Sequence, residues 1–236
     1  TKIEMPQLLS QRFSGEQATM KKEVIMAFTG GVQSSVCLHW LAHSGGYRVS
    51  AFAANLGQPG SLRRFGEHAL SLGANMAHLE DVRDEFCHDY VLPALKAGAV
   101  YGNCYLLSGA LTRPLIADVM VRLAEDEACT TVAHGAGPQS SDLARFEQSI
   151  AALAPDMELI GPGEIPPLQT RQKAVDYARE KDIMPDEKLG PALHMDRNLW
   201  GWAVEVDPLM DTGEELPEEV YQLTANPREA PDDPDE

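Results

Sequence analysis

Apolar residues recur along the chain in two alternating periods. Residues 24–28 (VIMAF) form the short continuous apolar run that predicts a buried strand, and from 36 to 41 apolar positions take up helical spacing. Between them lies 29–35, TGGVQSS, a turn of small and hydroxyl residues. The alternation then repeats. Strands are predicted at 47–56, 75–79, 129–133 and 157–160. Helices are predicted at 61–72, with Ser61 as N-cap and Gly73 as stop, and at 84–97, 111–128, 142–153 and 169–179, with Pro93 a kink or break in the second of these. Residues 98–105 read as irregular, and 134–138 (HGAGP) as a second glycine-rich turn. This order predicts an α/β fold with a mainly parallel, twisted sheet and helices on both faces. Ligands of such sheets bind at the carboxyl ends of the strands, where 29–35, 55–58 and 135–142 converge.

The stretch 23–35 carries the first chemical hint. A strand that ends in two glycines and runs into a helix leaves unpaired N–H groups and the positive end of the helix dipole at one spot, which suits a phosphate. The glycines admit phosphate oxygens close to the main chain, and Thr29, Ser34 and Ser35 add hydroxyls. The turn matches neither GxxxxGK[ST] nor GxGxxG, so a plain strand-to-helix connection fits as well as a phosphate site.

Composition narrows the field. The 236 residues, 44% of them hydrophobic, suffice for one sizeable core. A formal net charge of −17 argues against a nucleic-acid partner, whose binding rests on clustered Lys and Arg, and favours a small-molecule substrate. Cys37, Cys87, Cys104 and Cys129 show no CxxC spacing, so neither a zinc site nor a disulfide framework is expected. No run reaches membrane-spanning length and no signal-peptide pattern stands at the N-terminus, although an initial Thr suggests trimming. A reduced, cytoplasmic protein with no membrane partner is the expectation.

AFTGGVQSSV resembles the AYSGGLDTSV loop of argininosuccinate synthase, a member of the ATP-pyrophosphatase (PP-loop) superfamily. The likeness continues in register through AANLGQ, LGA, EFCHDYVLPALKAGAVYGNCYLLSGALTRPLIA, VAHGAG, DLARFE, LAPDMELI and MDRNLWG, over about residues 22–208. The resemblance implies the fold of the adenine nucleotide alpha hydrolase-like group. It divides the chain into an N-terminal arm (1–22, a loose arm or short helix), a nucleotide-binding ATP-pyrophosphatase domain (23–205) and an acidic, Pro-rich, solvated tail (206–236). The family's long C-terminal domain has no counterpart in these residues, which removes substrate ligands and the usual tetramer contacts; a homo-oligomer stays open.

The implied reaction uses ATP and Mg2+ to adenylate a carbonyl oxygen, releasing pyrophosphate, after which a nucleophile displaces AMP. An amide-like oxygen leaves poorly until it becomes a phosphate ester. By position, Ala27, Phe28, Thr29, Gly30, Gly31, Ser34, Ser35, Ala54 and Gly135 match ATP-binding residues, with backbone amides around the pyrophosphate. The family's loop Asp is Gln33, which either disturbs how magnesium is held or makes a neutral hydrogen bond while ATP brings its own metal. On the acceptor side Tyr105 and Arg145 match citrulline-binding positions, but three serines there correspond to Ala110, His194 and Ala203. A site stripped of its hydrogen-bond donors loses a polar ligand, so citrulline is not the expected substrate. The aspartate loop TGKGND has become GPQSSD, with Gly137 and Ser141 in place of Thr and Asn. Asp142 persists, as a helix N-cap or as a catalytic or substrate contact. His194 is read as a pocket-wall residue.

Cys104, directly before Tyr105, is the best-placed thiol and either fills space or reacts; a thiolate or its persulfide is a strong nucleophile. Cys37 and Cys129 read as packing residues. Three hypotheses follow. Cys104, charged by a PLP-dependent cysteine desulfurase, replaces the adenylated oxygen of a lactam or amide, such as a nucleobase or nucleotide, with sulfur. Alternatively, the chain joins an amine to an adenylated ureido or amide carbon, or it binds nucleotide without catalysis.

Overall fold

The computed structural model describes residues 2–4, 21–138, 140–183, 193–206, 218 and 221, with the backbone alone at 2–4, 193–195 and 205–206. In chain order the elements are β1 (Lys2–Glu4), β2 (Lys22–Ala27), α1 (Val32–His43), β3 (Tyr47–Asn55), α2 (Leu62–Ser71) and β4 (Met76–Asp81). The short helix α3 (Arg83–Glu85), a π-helical stretch Phe86–Val91 and α4 (Leu92–Lys96) follow, then α5 (Ser108–Asp126), β5 (Thr131–His134), α6 (Ser141–Leu153), β6 (Glu158–Ile160), α7 (Arg171–Glu180), β7 (Leu193–Asn198) and β8 (Gly201–Val206).

Six strands form one sheet in the order β1-β4-β3-β2-β5-β6. Strands β2 to β6 run parallel, and β1 lies antiparallel on the edge beside β4. Residues 2–4 are therefore an edge strand where the sequence predicts a loose arm or helix. The central strand β2 explains the apolar run. Val24, Met26 and Phe28 enter the core on the α1 and α7 side, while Ile25 and Ala27 enter the one shared with α5 and α6. Both faces being covered, no position in the run is free to be polar.

The chain leaves β2 toward β3 and β4, then returns to place β5 on the other flank of β2. At such a reversal the connections after neighbouring strands diverge and open a crevice. In register, Ala27 sits between Phe52 and His134, so the turns after β2 and β5 begin side by side.

Three boundaries differ in ways that shape the site. Helix α1 starts at Val32, four residues before the predicted start, because the extended Gly31 (φ −72°, ψ 168°) turns the chain at once. Gln33, Ser34 and Ser35 thus belong to the first helical turn. The predicted helix 84–97 is divided by the π-helical stretch, in which the Leu92 N–H reaches back to the Cys87 carbonyl, and Pro93 follows directly at the start of α4. The antiparallel hairpin β7–β8 was not predicted: its strands, LHMDRN and GWAVEV, mix charges with apolar residues too irregularly for a period of two to show. Of the proposed tail 206–236, all but Val206, Glu218 and Tyr221 lies outside the described residues.

Candidate functional site

The turn after β2 is drawn tight by its own hydroxyls. Ser34 Oγ donates to the Gly31 carbonyl (3.1 Å) and lies 3.0 Å from Thr29 Oγ1, while Ser35 Oγ donates to the Gly30 carbonyl (3.4 Å). Gly30 has φ +80°, a left-handed conformation that glycine adopts without strain. Gly31 contributes no side-chain cap, so the amides of Val32, Gln33 and Ser34 have no acceptor in their own helix, and the first helical bond runs from the Ser35 N–H to the Gly31 carbonyl (2.9 Å). Ser34 and Ser35 are buried and Thr29 is exposed. The serine hydroxyls therefore brace the loop, and the main chain with Thr29 presents the donors.

The loop after β5 closes against this turn. A Cβ on Gly135 would stand 2.8 Å from Ser34 Cα and 2.9 Å from Ser34 N, so only a glycine lets the two loops meet. Two residues on, a Cβ on Gly137 would meet the Gln33 carboxamide at 3.3 Å. Gln33 thus reaches from α1 across to the β5–α6 loop. Ala54, near the end of β3, already receives a hydrogen bond on its carbonyl from Gln58 Nε2 (2.7 Å).

Helix α6 starts with Ser140, whose side chain accepts from the Asp142 N–H. Asp142 is therefore not the N-cap. Its carboxylate is gripped on both sides: Arg145 Nη1 donates to Oδ1 (2.8 Å) and Arg113 Nη2 pairs with Oδ2 (2.8 Å). Arg145 Nη1 also donates to Ser141 Oγ (2.8 Å), and Arg113 Nη2 reaches Asp196 Oδ2 of β7 (2.6 Å). Burial alone would press the Arg113 guanidinium down, but the Asp196 and Asp142 carboxylates beside it hold its pKa above the ordinary value. Tyr105 joins from the other side. Its hydroxyl accepts from the Gly109 N–H (2.9 Å), where a Cβ would come within 2.9 Å of Asp196 Oδ2.

The structure thus gathers Tyr105, Ser141, Asp142 and Arg145, and adds Arg113 and Asp196. Arg113 left a faint trace, a charge in the apolar stretch LTRPLIA of α5; its pairing with a residue 83 positions away did not. Among the described residues, Cys104 is linked to this group through its neighbour Tyr105. It is exposed on a tight turn in which Tyr101 and Tyr105 exchange backbone hydrogen bonds (2.8 and 3.0 Å) and Gly102 and Asn103 have φ near +60°. His194 lies in β7 opposite Glu205, and Ala203 in β8 opposite Asp196. Ala110 is in the first turn of α5. Cys37 and Cys129 are buried, as packing residues are.

His134 closes β5 at the junction of the two loops. Its ring stacks on Phe146 with centroids 4.6 Å apart and is 1% exposed. Nδ1 accepts the Ala136 N–H (3.2 Å), which leaves the neutral ring's proton on Nε2, a buried atom with no hydrogen-bond partner among the described residues. Burial lowers its pKa to about 4 against the opposing pull of Asp142.

Among the described residues no group of three or more His, Cys, Asp or Glu side chains is placed to hold a metal ion, and no helix is long and apolar enough to cross a membrane. The uncapped glycine turn suits a triphosphate, and among the described residues no cluster of carboxylates is placed to hold a magnesium ion.

Comparison with known proteins matches residues 23–184 to the arginosuccinate synthase N-terminal HUP domain. Argininosuccinate synthase of Carboxydothermus hydrogenoformans is 42% identical over 217 residues, covering 92% of this chain and 54% of that protein. The enzyme of the same name from Aquifex aeolicus is 40% identical, with 91% and 53% covered. The chain spans about half the length of the curated relatives it matches. Among solved structures, the U34-tRNA thiolase NcsA from Methanococcus maripaludis with its 4Fe-4S cluster aligns with a TM-score of 0.46 at 17% identity, covering 72% of this chain and 61% of that one.

Proposed function

Because the chain belongs to the argininosuccinate synthase family, through its N-terminal nucleotide-binding domain, we propose that it is an ATP-dependent adenylating enzyme. A carbonyl oxygen of a small acceptor attacks the α-phosphorus of ATP, pyrophosphate leaves, and a second nucleophile then displaces AMP from the activated carbon. One observation carries this reading: the β5–α6 loop touches the glycine turn at a Gly135 that tolerates no Cβ, so two loops of backbone donors face one crevice. Charge grows on the departing pyrophosphate, and fixed amides at a helix N-terminus meet it without reorganising. Magnesium arrives with the triphosphate, consistent with the neutral Gln33.

For the second step, we propose sulfur delivered by Cys104. A persulfide formed there, by transfer of a sulfane sulfur from a cysteine desulfurase, attacks the adenylated carbon through its terminal sulfur, and AMP leaves with the oxygen. A low-molecular-weight thiol then attacks the Cys104 sulfur, releasing the thiocarbonyl product and leaving a mixed disulfide, and a second such thiol frees the Cys104 thiol as the two small thiols leave joined in a disulfide. Exposure of Cys104 on a tight turn supports access for a protein donor. Gly137 and Ser141, which stand where the resemblance places a Thr and an Asn of an amino-acid clamp, support it too, since sulfur transfer needs no such clamp. A second reading, ligation of an amine, is favoured by the gathered Tyr105, Asp142 and Arg145 and by the relatives' names.

The test incubates the protein with ATP and a metabolite pool, with and without a cysteine desulfurase, cysteine and a low-molecular-weight thiol, and follows AMP, pyrophosphate and product mass. Adenylation predicts acceptor-dependent pyrophosphate release, and its absence with every acceptor supports a nucleotide binder without catalysis. Cys104→Ser separates the two second steps. Sulfur incorporation disappears in the variant if the thiol delivers it, and an amine-ligated product persists.

A further inference from the structure

The ion pairs around Arg113 join three segments that sequence holds far apart. Arg113 sits in α5, Asp142 in the first turn of α6, and Asp196 in β7, and both carboxylates meet the same guanidinium nitrogen, Nη2, at 2.8 and 2.6 Å. Arg113 Nη1 donates to Thr112 Oγ1 (2.7 Å), which leaves this side chain little freedom to turn. Side-chain exposures of 13% for Arg113, 17% for Asp142 and 19% for Asp196 place the triad mostly out of water. There an ion pair is screened little, and loss of one member strands the others.

The hairpin that supplies Asp196 is docked at three further points. Asn198 Nδ2 donates to the Ser108 carbonyl (3.0 Å), Trp200 Nε1 to the Leu106 carbonyl (2.6 Å), and the Leu199 N–H to the Leu56 carbonyl (2.8 Å). The hairpin thus spans from the end of β3 to the start of α5. On the far side of Arg113, Asp142 holds Arg145, whose Nη1 also reaches Ser141. A continuous chain of charge-assisted contacts therefore runs from the hairpin to Arg145.

We infer that Arg113 is a positioning residue of the acceptor site: it orients Asp142, and through Asp196 it makes the hairpin β7–β8 a structural part of that site. The name acceptor site rests on the function proposed above; the coupling does not. Asp196 bonds to Arg113 and not directly to Asp142 or Arg145, yet its removal frees half of the grip on Arg113 and so loosens both. Coupling of this kind is reciprocal, so a change at Asp142 reaches the hairpin.

The test uses the full chain without nucleotide or acceptor. Nitrogen-15 spectra follow the Arg145 guanidinium, and hydrogen exchange follows the Trp200 indole N–H and the amides of 196–204. Asp196→Asn is expected to shift and broaden the Arg145 signals, and Asp142→Asn to speed exchange of the Trp200 indole at least tenfold. Arg113→Met does both, and Arg113→Lys, which keeps the charge but not the fork, restores part of each. If Arg113→Met does not fold, the two Asp→Asn variants decide alone. Unchanged Arg145 signals in Asp196→Asn, together with unchanged indole exchange in Asp142→Asn, overturn the inference. Because neither readout needs turnover, a protein that never releases pyrophosphate refutes the adenylation reading while leaving this coupling to stand or fall separately.

Discussion

The two halves of the crevice are built from different materials. Around β2 and β5 the site is main chain: a left-handed Gly30, an uncapped helix start, and a Gly135 whose hydrogen lies where any side chain would strike Ser34. Around α5, α6 and β7 it is side chains: two arginines, two aspartates and a serine tied in sequence, with Tyr105 anchored beside them on the Gly109 N–H. A backbone site tolerates change in its side chains but not in its spacing, whereas a side-chain site is retuned by single substitutions. The resemblance fits this contrast: the glycine turn keeps its paired glycines and departs from the family pattern in a side chain, Gln33, while the acceptor side departs at Ala110, His194 and Ala203.

The sharpest way to break the contrast is Gly135→Ala. The added methyl meets Ser34 Cα and N at 2.8 and 2.9 Å, and both are backbone atoms of α1 that cannot swing aside. The loops must part, and a shift of about 1 Å at a reacting centre costs about a hundredfold in rate. Titration calorimetry with ATP and initial rates of pyrophosphate release are expected to show losses of that order, and wild-type values for both would end the two-loop description.

His134 stands where the halves meet, and its effect is expected next in size. Its ordinary pKa of 6.5 falls to about 4 in the fold, so the folded state favours the neutral ring. The contribution is complete above pH 6.5 and is lost as pH falls from there toward 4, because the unfolded chain takes up the proton first. Spread over that window the loss amounts to about 3 kcal/mol. Urea midpoints measured across pH 4–7 should fall as the pH is lowered in the wild type and change less in His134→Gln. An equal slope in both proteins would assign the acid sensitivity elsewhere.

Gly109→Ala probes the side-chain half. Here the added methyl approaches Asp196 Oδ2 at 2.9 Å and the Tyr105 hydroxyl at 3.3 Å, atoms that can yield only by releasing Arg113 or the helix start. Overpacking of this kind costs about 1–3 kcal/mol, and the gain from replacing a helical glycine offsets up to about 1 kcal/mol of it. A lower urea midpoint is expected, with the hairpin amides exchanging faster than those of β2.

The same difference in material decides what could be read along the chain. The parallel sheet was legible because Val24 to Phe28 is buried on two faces and leaves a continuous apolar run. The glycine turn was legible because backbone sites need particular residues at consecutive positions. Arg113 and Asp196 were not, since an ion pair across 83 residues has no local pattern, and the hairpin carrying Asp196 mixes charges with apolar residues. Asp142 was half-legible. Its place at the start of α6 was apparent, but the neighbouring Ser140 serves as the cap, which leaves the carboxylate to the arginines.

Gly137→Ala is the smallest expected effect and isolates the principle, being two residues from Gly135 on the same loop. Its added methyl also meets a residue of the first turn of α1, but at the 3.3 Å end of the Gln33 side chain, not at backbone. A carboxamide on rotatable bonds moves a few tenths of an ångström at little cost. The glycine has no left-handed backbone to preserve, so an alanine also reduces the freedom of the unfolded chain, worth about 0.4–1 kcal/mol. The two terms nearly cancel, and the urea midpoint is expected within about 0.5 kcal/mol of wild type with ATP affinity retained. A loss as large as that of Gly135→Ala would mean that Gln33 is held rigidly across the crevice, which would make this side chain part of the backbone-like half of the site.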